Sequence, residues 1–282
     1  MRRGRLLVVG TPIGNLGDLT PRAATALRDS DLVVAEDTRV AARLLTAIGA
    51  RTATVSFNEH NADQRLPALL ARLARGETLA LTTDAGMPGV SDPGAALVAA
   101  ARASGAVIET LPGPSAVTAA VAVSGVATHG FVFAGFLPAR PASARATALE
   151  RARSAASTAG TPLVLFESTH RIRGLLAELA DAVPEARVAV CRELTKLHEE
   201  VVVGSPAEAA TRLRDHRGEF VVIVDDRSEP GAAMAVSRDL DAERIAEAAR
   251  SVGLRDRAIV DLLRAGGMPR REAYRIVGES AR

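Results

Sequence analysis

The sequence predicts an α/β protein: two sheet-bearing domains followed by a small helical unit. Three observations predict that class. From residue 5 to about 112, short apolar runs alternate with alanine- and arginine-rich segments of helical period, the pattern of a parallel, doubly wound sheet. After the LPGPSA turn a second series of apolar runs begins, and two of its members follow each other with no room for a crossover helix, so they should pair antiparallel. The length, 282 residues, exceeds what one hydrophobic core usually serves.

In the first series RLLVVG, DLVVAE, TATVSF, TLALTT and AVIETL are expected as buried strands, with helices over PRAATALRDS, RVAARLLTAI and QRLPALLARLAR. In the second, strands are expected at FVFAGF, LVLFES, RVAVCRE, HEEVVVG and EFVVIV, and helices over 142–158, 168–181 and 205–214. The runs at 187–193 and 198–203 are the antiparallel pair, which makes the second sheet mixed. DDRSEPGAAMAVS (225–237) has the composition of a linker. Three short segments of helical period follow, each ending near a glycine. The expected boundaries are 1–112, 113–226, a linker over 227–237, and a helical unit over 238–282.

Composition narrows the function. Apolar residues are 48% of the chain, yet no apolar run approaches the roughly 18 residues of a membrane span. The run in MRRGRLLVVG is too short for a signal-peptide core, so a cytoplasmic protein without a membrane partner is expected. The single cysteine, Cys191, excludes an internal disulfide or a multi-cysteine zinc site and suits a small buried strand residue. A net charge of +2 is no polycation. With one Tyr, six Phe and no Trp, a nucleic-acid partner would be held by arginine and backbone rather than by stacking platforms.

Three punctuated loops directly follow strands of the first series: GTPIGNLGD (10–18), TTDAGMPGVSDPG (82–94) and LPGPSA (111–116). Carboxyl ends of parallel strands share one sheet edge, so the three loops should converge on one pocket. The first is not G-x-G-x-x-G, and the chain has no G-K-[ST], which speaks against nucleoside triphosphates. Asp84, Ser91, Asp92, Ser115 and many backbone groups suit a ligand carrying an adenosine, an amino acid and a positive centre.

GTPIGNLGD, AEDTR (35–39), FNEHN (57–61), TTDAGMPGVSDPG, LPGPSA, GFLP (135–138), FESTHR (166–171) and RELTKLHEE (192–200) together resemble the ribosomal small-subunit 2′-O-methyltransferase I family of the tetrapyrrole-methylase superfamily, over residues 5 to about 226. The helical tail resembles that family's C-terminal extension. The resemblance implies two α/β domains with S-adenosylmethionine in the cleft between them, a homodimer, and methylation of a cytidine ribose in the decoding region of 16S ribosomal RNA, on the free RNA or the 30S subunit. By position it implies a cofactor lining of Pro12, Asp84, Gly86, Met87, Val90, Ser91, Ser115, Ala116 and Phe166. Two other readings stay open: a tetrapyrrole carbon methyltransferase, against which GTPIGNLGD and the arginine-rich tail speak, and a non-catalytic RNA-binding protein of ribosome assembly.

One residue stands out inside RELTKLHEE. Lys196 is the only lysine, every other one of the 35 Lys+Arg positions being arginine. Transfer to a ribose hydroxyl needs alignment with the sulfonium methyl and a cation or base at the oxygen, worth about 10²–10⁴-fold. Arginine stays protonated, whereas a lysine pKa falls readily on desolvation or crowding by arginines, so Lys196 is the expected catalytic group. Glu193, Glu167 and Asp37 are the carboxylates expected to pair with it, orient the ribose or act as base, with Glu36 beside them. Glu193 and Lys196 can meet only if the chain turns between them, since an extended strand would point them to opposite faces. Arg39, Arg171, Arg173 and Arg192 are expected phosphate contacts, and His60, His170 and His198 alternative proton carriers; His60 and His170 are also expected to meet RNA. No residue spacing matches a metal site, so no metal is expected.

Overall fold

The computed structural model describes residues 3–90, 94–126, 129–226, 242, 245–251, 253–265 and 268–279. It divides into two compact units, Met1–Asp226 and Arg227–Arg282.

The first unit contains two five-stranded sheets. Sheet one holds β1 (Arg5–Val9), β2 (Leu32–Ala35), β3 (Thr54–Ser56), β4 (Thr78–Thr82) and β5 (Val107–Leu111). Its order is β3-β2-β4-β1-β5 with every pair parallel. The strands are continuous apolar runs because both faces are covered. On one face Leu7, Val9 and Val33 pack with Ala23 and Leu27 of α1 (Pro21–Asp29) and Ala41 and Leu45 of α2 (Thr38–Ala47). On the other, Leu6, Leu79 and Leu81 pack with Leu69 and Leu73 of α3 (Ala62–Ala74) and Leu97 and Ala101 of α4 (Gly94–Ala103). Local chemistry sets the helix starts. Thr20 accepts from Ala23 N ahead of Pro21 at the head of α1, and Asp37 accepts from Arg39 N at the head of α2.

The chain runs from β1 outward through β2 to β3, then returns to β4 and crosses to β5. Strand order therefore reverses between β1 and β4, where an open α/β sheet forms its ligand crevice.

Helix α5 (Ala116–Ser124) leads into the second sheet and packs on it. That sheet holds β6 (Val132–Phe136), β7 (Leu163–Ser168), β8 (Arg187–Arg192), β9 (Glu200–Gly204) and β10 (Glu219–Asp225), in the order β6-β7-β10-β8-β9. Only β6 and β7 are parallel; β10 runs antiparallel to both β7 and β8, and β8 to β9. The expected direct β8–β9 pairing is present, from Val188 opposite Gly204 to Arg192 opposite Glu200. Leu175, Leu176 and Leu179 of α7 (Ile172–Ala182) fill the outer face together with α6 (Ala142–Ala159) and α8 (Pro206–Arg212). Helix α7 starts at Ile172 rather than at 168, because Ser168 ends β7 and 169–171 form the turn that follows it.

The second unit has helical residues at 245–251 and helices Asp256–Ala265 and Arg270–Glu279. Its apolar residues, among them Ala246, Ile259, Leu263, Ile276 and Val277, form their own core. The expected linker over 227–237 lies outside the described residues. Among the described residues no helix is long and apolar enough to cross a membrane.

Candidate functional site

The three glycine- and proline-rich loops do meet. Thr11 and Gly86 exchange backbone hydrogen bonds of 2.8 and 3.1 Å, zipping the first loop to the second, and Gly10 N donates to Leu111 O at 3.0 Å, tying it to the third. The backbones come so close that a Cβ built on Gly10 would lie 2.7 Å from Gly113 Cα and from Met87 Sδ. No larger residue fits either position without moving main chain.

The first loop also reaches the second sheet. Ile13 is buried in a cluster with Val117, Val164, Cys191, Leu194 and Val221. A Cβ on Gly14 would lie 2.5 Å from Lys196 Cγ, so the lysine stem lies directly on the loop backbone.

Between these surfaces is a cavity of about 550 Å³, within the usual range for a small-molecule site. Sheet one contributes Ile13, Glu36, Thr83–Met87, Val90, Ser115 and Ala116; sheet two contributes Phe136, Phe166–His170, Cys191, Leu194 and Gly218–Val221. The expected Asp84, Gly86, Met87, Val90, Ser115, Ala116 and Phe166 are all in this lining. Pro12 is not, and Ile13 stands in its place because it is the residue anchored in the apolar cluster. Ser91 lies outside the described residues.

Glu36, Asp84, Glu167 and Glu219 line the cavity, and among the described residues no lysine or arginine does. Burial, and then the neighbouring Glu36, raise the Asp84 carboxyl above its ordinary range. Such a lining repels phosphates and attracts a cation. Phe166 packs edge-on to Phe133 at 5.0 Å and tilted to Phe136 at 5.3 Å, giving the far wall an apolar face. These residues fit S-adenosylmethionine: acidic groups for its ammonium and sulfonium, backbone corners for its amino-acid end, apolar walls for its adenosine.

Glu193 and Lys196 meet because the chain does turn. Glu193 at φ 50 and Thr195 at φ 67 are left-handed, an uncommon state for non-glycine residues and most of all for a β-branched one. Lys196 N consequently donates back to Glu193 O at 3.0 Å. The ammonium donates to Glu193 Oε1 at 2.9 Å and Glu219 Oε2 at 2.8 Å. This corrects the expectation of a lysine with a lowered pKa. Burial alone would lower it, but the bonds to Glu219 and Glu193 outweigh burial and hold the ammonium above the ordinary lysine value. Among the described residues no arginine contributes to this shift, and the ammonium sits between two carboxylates.

The other expected catalytic carboxylates are already engaged. Glu167, with no exposed side-chain surface, bonds Arg145 Nη2 at 2.9 Å and Arg171 Nε at 2.8 Å and accepts from Ser168 N at 2.7 Å. Asp37 does not line the cavity; it caps α2 and pairs with Arg39, whose guanidinium holds the carboxyl down to about 2.

Several expected RNA contacts need the same correction. Arg192 is buried and bonds Arg217 O and His198 O, and Arg171 is bound to Glu167 and Leu137 O. Both side chains hold the fold together. Arg173 reaches His216 Nδ1 at 3.3 Å. Arg39 and His60 are exposed or largely so, away from the cavity lining, whereas His170 belongs to it. Burial pushes the Cys191 thiol up to about 12, leaving it inert. Among the described residues no cluster of His, Cys, Asp or Glu could hold a metal.

Glu219 was not foreseen. A rule that follows carboxyl ends of strands misses it, because Glu219 begins β10; that strand is antiparallel, so its amino end shares an edge with the carboxyl ends of β7 and β8.

Residues 5–210 match the profile of the Tetrapyrrole (Corrin/Porphyrin) Methylases. The chain is 43% identical over 235 residues to Ribosomal RNA small subunit methyltransferase I of Xylella fastidiosa, covering 82% of this chain and 84% of that one. It is 37% identical over 278 residues to the protein of the same name from Halalkalibacterium halodurans, with 97% and 94% covered. Among solved structures, a diphthine synthase superposes with a TM-score of 0.62 at 16% identity, covering 79% of this chain and 90% of that one. A uroporphyrin-III-C-methyltransferase from Thermus thermophilus gives 0.54 at 20% identity, with 79% and 95% covered. At those identities the two structures share the fold.

Proposed function

The chain belongs to the tetrapyrrole methylases and, within them, to the family of ribosomal RNA small subunit methyltransferase I, and from that premise we propose how and where it methylates. It is an S-adenosylmethionine-dependent methyltransferase of ribosomal RNA. We place the methyl on the 2′-oxygen of a cytidine ribose in the decoding region of 16S RNA, within the free RNA or the 30S subunit, by a homodimer.

The observation that carries this reading is the cavity itself, walled by both sheets and lined by carboxylates with, among the described residues, no lysine or arginine. When bound there, S-adenosylmethionine supplies an already activated methyl group. The chain's own residues have the remaining tasks. Loops 10–18 and 82–90 and Ser115 enclose one side. The Phe136 ring, 54% exposed at the rim, offers a face on which a nucleobase can stack, so the RNA is held by more than arginine and backbone. The Lys196 ammonium, its stem resting on Gly14, holds the Glu219 carboxylate at the cavity edge by a bond of 2.8 Å.

Mass mapping of ribosomal RNA from a strain lacking the gene should show one missing ribose methyl, restored by the gene; an intact pattern would defeat the RNA assignment. Calorimetry should show stoichiometric binding of S-adenosylmethionine, and its absence would leave only an RNA-binding module. Sedimentation should give twice the chain mass. The tetrapyrrole alternative has a fold-level likeness at 20% identity, against 37–43% for the RNA enzymes.

A further inference from the structure

We propose that Glu219 is the base that takes the proton of the acceptor hydroxyl, its carboxylate aimed by Lys196; this rests on the ribose-methylation reading. Among the carboxylates at this edge, Glu219 alone combines cavity lining with a bond to the Lys196 ammonium, at 2.8 Å. Its side chain is 76% exposed, open to an incoming substrate. The other carboxylates are already engaged, Asp84 Oδ1 accepting from Asp37 N at 3.1 Å. Glu167 is enclosed by Arg145, Arg171 and Ser168 N. Glu36 accepts from Thr83 Oγ1 at 2.7 Å. Glu193 is held by Lys196 and by Glu219 N at 2.9 Å and stands outside the lining.

The main chain of Glu219 is fixed as firmly as its carboxylate is accessible. Glu219 O accepts from Glu193 N at 3.0 Å while Glu219 N donates to Glu193 Oε1, so the strained turn that presents Lys196 also sets the position of Glu219. The ammonium stays charged beside its two carboxylates, which removes Lys196 as the proton acceptor.

A ribose hydroxyl is a far weaker acid than a carboxylic acid, so the proton does not leave first. As the bond from O2′ to the methyl carbon forms and the carbon–sulfur bond breaks, its electron pair staying on sulfur to give a neutral thioether, the oxygen becomes strongly acidic. Its proton then passes to a Glu219 carboxylate oxygen, the O–H electron pair remaining on O2′, and is released to water after product leaves. A carboxylate is a sufficient base for a transfer that late.

The test uses the full-length protein, S-adenosylmethionine and the small-subunit RNA substrate, with Glu219→Gln, Lys196→Met and the double variant. Glu219→Gln should bind S-adenosylmethionine and RNA within about twofold of wild type while single-turnover transfer falls about 10²–10⁴-fold. The double variant should be slower than Lys196→Met alone. Transfer by Glu219→Gln within about threefold of wild type overturns the proposal. A double variant no slower than Lys196→Met also overturns it, because Glu219 would then act only by holding the lysine. If the unaltered protein binds S-adenosylmethionine but methylates no ribose, the reading beneath the proposal fails, an outcome distinct from an active Glu219→Gln.

Discussion

The two walls of the cavity are made of different material. On the side of sheet one the lining loops are braced by main chain: Gly10 against Gly113, Thr11 bridged to Gly86. Opposite, the lining is backed by ion pairs: Glu167 is held by Arg145 and Arg171, and Glu219 by Lys196, which also bonds Glu193. A backbone wall recognises by shape and donor position and is damaged by added volume. A charged wall recognises by electrostatics and is damaged by lost partners. The first suits gripping a ligand of fixed outline, the second handling charge that changes during a reaction.

The largest effect should come from the charged wall. Glu167→Ala removes one of the two carboxylates that Arg145 bonds, leaving only Glu178 at 3.1 Å, and should destabilise the chain by about 3 kcal/mol in urea unfolding; unchanged stability would mean that this wall is not held by its ion pairs. Next comes Lys196→Met, which removes the ammonium that holds Glu219 and is expected to keep S-adenosylmethionine affinity by calorimetry while lowering turnover about tenfold or more. Near-normal turnover would make Lys196 an ordinary hairpin residue.

The backbone wall should respond in the opposite way. A Cβ on Gly113 would lie 2.9 Å from Gly10 main chain, so Gly113→Ala should cost about 1–3 kcal/mol of stability. Its cofactor affinity should fall by about tenfold, the equivalent of 1.4 kcal/mol. Wild-type affinity would erase the distinction between the walls.

The smallest effect is a pH dependence. Lys196 has a raised pKa, so its contribution is complete below the ordinary 10.5 and is lost as pH rises through the raised value. Glu193 runs the other way: burial alone would raise it, but the bonds to Lys196 and Glu219 N bring it below 4.5, so its contribution holds above 4.5 and fades as pH falls. The advantage of wild type over Lys196→Met in thermal unfolding should be at most about 1 kcal/mol, largest near neutrality and vanishing at both extremes. A flat difference across pH would show that the lysine stabilises by packing on Gly14 alone.

Most of the fold was legible because its cause is local. Apolar runs bounded by Gly and Pro became β1–β10, and the absence of a helix-length connection between β8 and β9 foretold their antiparallel pairing. Helices α4 and α5 were harder to foresee: AVTAAVAVS and GAALVAAARA are small and apolar nearly all round, so they carry little amphipathic stripe. Within the site, residues on strand-following loops were found, and those placed by register or burial were not. Ile13 in place of Pro12, Glu219 on an antiparallel strand, and the enclosure of Arg171 and Arg192 all depend on what packs alongside. An arginine that grips phosphate and one that ties two strands together are the same letter.

By itself the sequence determined the alternation of elements, the three loops and their common edge, the family, and the single position where lysine replaces arginine. These follow from periodicity and from backbone chemistry that acts within a few residues. Tertiary structure alone decided that Lys196 keeps its proton and which carboxylates lie within 3 Å of it, because charge states are set by neighbours brought from distant parts of the chain.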